Sequence, residues 1–161
     1  MISELEDLIV AIRSSIVGSG RGTIEHVQSL MANYRGNDYH RYVHFDPSNY
    51  QRILIHGNED FDLHLICWDK GQSSPIHDHP VYGCVLRVLS GELEEELYCN
   101  TGDHRLEKSE VNRLKTNNVS YIAGNSVVHQ ITALERSISL HLYSPPNYKP
   151  INYERPVDNG L

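Results

Sequence analysis

What the sequence lacks removes several classes of protein at once. It has no CxxC pair, and its three cysteines, Cys67, Cys84 and Cys99, cannot all pair within one chain. Neither a disulfide framework nor a thiolate zinc site is therefore expected. No apolar run approaches the roughly 20 residues that span a bilayer. The N-terminus MISELEDLIV carries acids where a signal peptide carries bases, so the chain reads as cytoplasmic, with no membrane partner. Bases are also scarce. Fourteen Lys and Arg stand against 21 Asp and Glu, a net charge of -7, which repels a phosphate backbone and removes the electrostatic term behind nonspecific nucleic-acid binding. Nucleic acid is not expected as a partner. Internal repeats, low-complexity tracts and linkers are absent too, which leaves 161 residues to form one domain. A domain of this size buries roughly two-thirds of its unfolded surface.

Histidine, by contrast, is plentiful, with ten in the chain. Along the chain the hydrophobic period changes once. Ile2, Leu5, Ile9, Ile12 and Ile16 step by three and four, the stripe of an amphipathic helix, with Ser3 and Glu6 as a candidate capping box. GSGRG (18–22) breaks it, and Ile24, Val27, Met31 and Tyr34 describe a second helix with Thr23 as its N-cap. After Pro47 the period becomes two. YQRILIH, FDLHLICW, CVLRVL, ELEEELY, VSYIA, SVVHQIT and SISLHLYS read as short strands separated by turn segments such as GNED, DKGQSSP, NTGD and TNN. This is the rhythm of a mainly β antiparallel barrel or jelly roll. The expected organisation is a helical part at 1–46, a barrel at 47–147 and a C-terminal tail at 148–161, all within one domain.

In SISLHLYS, Ile138, Leu140 and Leu142 share one face and Ser139, His141 and Tyr143 the other. A small barrel closed around a ligand would turn the polar face inward, and a plain sandwich would leave it wet. The pattern alone leaves both open. His77 and His79 are two apart, so on extended backbone both imidazoles project from one face and can meet one cation. An isolated HxH pair is also a common surface feature, and it gains meaning only from its surroundings.

Those surroundings are specific. Gly71, His77, His79, Cys84 and Gly91 are spaced as in the first motif of the cupin family, with Cys84 where many cupins have a glutamate ligand. Gly124 and His129 stand for the second motif, whose proline is absent and whose internal gap is longer. The cupin resemblance implies a metal held by His77, His79 and His129. Three neutral imidazoles leave a divalent cation uncompensated, and an anionic thiolate substrate would supply the missing charge.

With YQR (50–52), ICW (66–68), IHDH (76–79) and SLHLYSPP (139–146) added, the chain resembles the cysteine dioxygenase family over most of residues 45–147. The resemblance implies a cupin-type barrel. It also implies an Fe(II) enzyme of cysteine catabolism that adds both atoms of O2 to the sulfur of free L-cysteine, giving cysteine sulfinic acid. His77, His79 and His129 carry over as iron ligands, Arg52 as the group that binds the substrate carboxylate, and Tyr50 as a second hydroxyl nearby. Tyr143 carries over as the active-site phenol, His141 as the residue that orients it, and Trp68 as packing beneath the site. Cys84 corresponds to the sulfur that in some members forms a thioether bond with the tyrosine ring. Gly83 departs from the family, in which a bulkier residue is found there. A monomer is expected. Competing readings are a dioxygenase of 3-mercaptopropionate or cysteamine, a non-catalytic cupin that binds metal or a small molecule, and a cupin isomerase or decarboxylase with another metal. Arg52 favours a carboxylate-bearing substrate, and the missing glutamate disfavours the last reading.

Overall fold

A computed structural model describes residues 1–158; the last three residues of the expected C-terminal tail lie outside the described residues. Helix α1 (Leu5–Gly18) buries Leu5, Ile12 and Ile16 of the expected stripe and, with them, Leu8, while Ile9 is only half-buried. The Ser3/Glu6 capping box does not form, because the helix starts one residue later than that box requires, with Glu4 at the N-cap and no side-chain cap. The free Leu5 N–H donates instead to Asp38 Oδ2, 2.8 Å away, so a carboxylate distant in sequence satisfies the helix start. The second helical segment is a 3-10 turn (Glu25–Val27) leading into the short α2 (Gln28–Asn33). Thr23 is not a conventional cap, since its hydroxyl is 2.5 Å from that of Tyr121 and lies a long 3.4 Å from the Glu25 N–H.

Ten strands follow among the described residues: β1 (Gln51–Gly57), β2 (Asp62–Trp68), β3 (Ile76–His77), β4 (Gly83–Ser90), β5 (Glu92–Asn100), β6 (Leu106–Lys115), β7 (Val119–Ile122), β8 (Val127–Ala133), β9 (Ser137–Ser144) and β10 (Asn152–Tyr153). They form two five-stranded antiparallel sheets, ordered β1-β2-β9-β4-β7 and β10-β3-β8-β5-β6. Strand β6 was not foreseen. It pairs only with β5, and Leu106 and Leu114 are its buried residues; the rest is the charged, exposed surface of an edge strand, which hides the period-two signal.

The alternation of the first sheet sorts its side chains into two environments. Leu63, Leu65, Cys67, Val85, Leu140 and Leu142 turn outward and are buried under α1, α2 and their connection. Each such aliphatic contributes about 1.5–3 kcal/mol relative to exposure. Arg87 fastens the helices there, donating to the Met31 and Tyr34 carbonyls at the end of α2 and to Asn117 Oδ1. Ile66, Trp68, Leu86 and Val88 turn inward and meet Leu93, Leu114, Ile131 and Ala133 between the sheets. A third cluster, Ile76, Tyr98, Leu106, Val128 and Tyr153, is closed by the chain's end. With the apolar face of β9 spent on the helices, Ser139, His141 and Tyr143 have only the barrel interior to face.

Candidate metal centre

The first motif and the second meet through backbone pairing. His77 is the β-partner of His129 across β3 and β8, and the loop after β3 is anchored by His79 N–H donating to the Gly124 carbonyl at 3.0 Å. The spacing of the second motif, longer than the usual one, is thus accommodated within the β7–β8 turn. His77, His79 and His129 each present one ring nitrogen, all within 4.8 Å of one another. His77 Nδ1–H is taken by the Pro75 carbonyl at 2.8 Å and His129 Nδ1–H by Glu95 Oε2 at 2.9 Å, which leaves both Nε2 atoms as acceptors. His79 Nε2 faces His129 Nε2 at 2.9 Å, an arrangement of lone pairs that suits a shared cation. Burial and then the neighbouring His129 push His77 down to about 3, and the same causes hold His79 well below its ordinary value. Both are neutral at pH 7, the form that ligates metal. The donor set fits a divalent transition metal, iron among them.

The centre lies in a cleft of ≈ 560 Å³, its open mouth included, that Tyr50, Arg52, Trp68, His141 and Tyr143 also line. Arg52 is exposed at the mouth, its Cζ 4.7 Å from the Tyr143 ring centroid. Tyr50 stacks on Trp68 with centroids 4.7 Å apart, so its ring packs while its edge remains in the cleft. Tyr143 OH is 3.3 Å from His141 Nδ1. Cys84 and Tyr143 are direct cross-strand partners in the β4–β9 register. Burial, and then the Cys84 thiol, push the Tyr143 phenol far up, and burial pushes Cys84 to about 12. Neither group ionises by itself at pH 7. The structure therefore brings together every expected site residue.

The family model for cysteine dioxygenase type I matches residues 2–155. The chain belongs to that family. It is 37% identical over 152 residues to cysteine dioxygenase type 1 of Danio rerio, covering 88% of this chain and 75% of that protein. Against the Homo sapiens protein of the same name identity is 34% over 151 residues, with 88% and 74% covered. Among solved structures, an uncharacterised Klebsiella pneumoniae protein with a double-stranded β-helix domain superposes with a TM-score of 0.55 at 23% identity, covering 72% of this chain and 94% of that one. That likeness concerns the fold.

Two features of this family member's site, Glu95 and Asp78, escaped the sequence reading, and the reason for a third, Gly83, comes only from the packing. Glu95 is buried, holds His129 and accepts from Ser120 Oγ at 3.1 Å. Burial alone would raise its carboxyl, but the hydrogen bonds from His129 and Ser120 more than offset this and leave it lowered. It returns negative charge to a centre built from neutral ligands. The signal was present in ELEEELY, where Glu95 shares the inward period of Leu93. Asp78, between the two histidines, is buried and accepts from Tyr148 OH and Ile151 N–H, both at 2.8 Å; it straps the C-terminal segment along the cleft, where Tyr148 and Asn152 form part of the wall. Gly83 has φ +113, and a Cβ there would strike the Tyr121 ring. The departure from the family is thus a requirement of this chain's packing.

Proposed function

We propose that the protein holds Fe(II) through His77, His79 and His129 and adds both atoms of O2 to the thiolate sulfur of free L-cysteine, giving cysteine sulfinic acid. The observation that carries this reading is the set of three converging imidazoles at a cleft whose mouth holds one guanidinium and whose wall holds a phenol with a thiol directly across the strands from it. Iron bound there supplies the redox chemistry that joins O2 to sulfur, and an anionic thiolate compensates charge that the neutral ligands do not. Arg52 receives the substrate carboxylate with its planar fork of donors. Tyr143 keeps a proton beside the sulfur because its buried phenol does not ionise, and His141 fixes the direction of its hydroxyl. Ile66, Trp68 and Ile131 keep the inner wall dry, and Tyr148 narrows the cleft from the opposite side.

The cross-strand position of Cys84 supports a further covalent step. Its sulfur bonds to the Tyr143 ring carbon next to the hydroxyl, with loss of one hydrogen from each group to O2 as oxidant. The linked peptide is then lighter by two hydrogens than the sum of its parts and absent from Cys84→Ala. A cytoplasmic location fits the three free thiols. No helix among the described residues is long and apolar enough to cross a membrane.

Oxygen uptake by the iron-loaded protein tests the substrate. Cysteine should be consumed with sulfinate as product, and Arg52→Ala should lower kcat/KM for cysteine about 30-fold, the usual worth of a charge-assisted bond. Cysteamine, which has no carboxylate, should be affected far less. Equal loss for both thiols would remove Arg52 from carboxylate recognition, and a strong preference for 3-mercaptopropionate would replace cysteine as the substrate.

A further inference from the structure

The inner face of β9 continues beyond the phenol and its histidine. His141 Nε2 is 2.8 Å from Ser139 Oγ, and Ser139 Oγ is 3.0 Å from Trp68 Nε1. Ser139 is fully buried, Trp68 and His141 nearly so. The chain therefore runs Trp68, Ser139, His141, Tyr143, and ends at the phenol on the wall of the cleft. Such a chain can in principle carry its hydrogens in either direction, because a serine hydroxyl and a neutral imidazole each donate and accept. An indole cannot. Its N–H only donates, so the first link is fixed: Trp68 gives its hydrogen to Ser139 Oγ.

We propose that Trp68 is a positioning residue that sets the polarity of this chain, so that His141 carries its hydrogen on Nδ1 and the Tyr143 hydroxyl hydrogen is directed into the cleft. The steps are forced by satisfaction of buried groups. Ser139 Oγ has two partners among the described residues, the indole and His141 Nε2. Having accepted from the indole, its own hydrogen can go only to His141 Nε2; were Nε2–H to donate to Ser139, the serine hydrogen would be buried without an acceptor. His141 is neutral, because burial and then the Arg52 charge hold it well below its ordinary value, so its single hydrogen sits on Nδ1 and is donated to the Tyr143 oxygen. The phenol's own hydrogen is then left for Cys84 or for a sulfur or oxygen bound beside it. Trp68 thus reaches the reacting groups through three hydrogen bonds and without touching them, in addition to stacking on Tyr50.

The inference rests on Tyr143 being the phenol beside the reacting sulfur, and its test is separable from that reading. Trp68 is the chain's only tryptophan, so growth of a tryptophan auxotroph on 3-benzothienylalanine replaces this one N–H by sulfur with almost no change of shape. In the metal-free native protein, nitrogen NMR assigned with a His141→Gln variant should show His141 with a protonated Nδ1 and a bare Nε2, whether or not the enzyme turns over. In the benzothienyl protein Ser139 is free to rotate, and both tautomers should appear. After iron loading, kcat for cysteine should fall about 3- to 10-fold, the worth of one neutral hydrogen bond, with KM within about twofold. A merely structural role would leave the tautomer unchanged. An Nε2–H form in the native protein, or an isosteric protein with an unaltered tautomer or an unaltered kcat, overturns the proposal.

Discussion

The two faces of β9 differ in what holds them. Leu140 and Leu142 on the outer face are fully buried against the helices, and they work by area, so any side chain of similar shape would serve. Ser139 and His141 on the inner face are buried almost as completely, yet they work by direction, each bond defining the next. Burial alone therefore does not separate core from site. The outer face tolerates approximate chemistry because dispersion and hydrophobic transfer are non-directional, whereas a buried polar group with one wrong partner loses most of what it contributes.

The largest break in this comparison is at the metal. His129→Ala should cost ~100-fold or more in activity and most of the bound iron, since a ligand matters more than the residues that support one; metal analysis beside oxygen uptake reads both. Full iron and turnover in that variant would refute the ligand set. The outer face predicts the reverse pattern. Leu140→Ala should cost about 2–5 kcal/mol in urea unfolding while leaving kcat per folded, iron-loaded molecule unchanged. A specific loss of kcat there would mean that the two faces are not separable.

Smaller effects sharpen the contrast. Glu95→Gln keeps the shape and one acceptor but removes the carboxylate behind His129, and should weaken metal affinity about 10- to 100-fold with a modest change in stability; competition with a chelator measures it. The smallest effect is a pH dependence confined to the inner face. His64 points inward, its ring 5.6 Å from that of Tyr143, and burial followed by the Arg52 charge lowers it to about 4 from 6.5. A histidine depressed on folding takes up protons more readily when unfolded, so the stability it permits is present above about pH 6.5 and is lost as pH falls towards 4. His64→Gln should flatten the acid side of the stability curve between those values. Parallel curves would show that His64 does not titrate in that range.

Much of the site was readable before the fold. The HxH pair and the alternation of Ser139, His141 and Tyr143 are local patterns, and periodicity two puts the members of each on one face, whereas His129 was supplied by the cupin resemblance alone. Glu95 was harder, because its strand is rich in acids and a buried glutamate differs from an exposed one only in its neighbours. Asp78 lies between the two histidines of the pair, and its partners, Tyr148 and Ile151, are 70 and 73 residues away. The Ser3/Glu6 box matched the pattern for a cap, but Asp38 supplied the bond from elsewhere.

By itself the sequence determined the alternation on each strand and the placing of His77 and His79 on one face, because these depend on residue identity and on spacing along one backbone. Only the tertiary structure decided which face of β9 is the inside. The strand pattern permits a wet polar face as readily as a buried one, and the choice was made when α1 and α2 covered Leu140 and Leu142 and left the polar face no direction but inward. The pairing of Cys84 with Tyr143, and the direction of the hydrogens from Trp68 to the cleft, were likewise decided by register between strands distant in the chain. A hydrogen bond between such strands depends on where each is placed in space, and spacing along the chain does not carry that information.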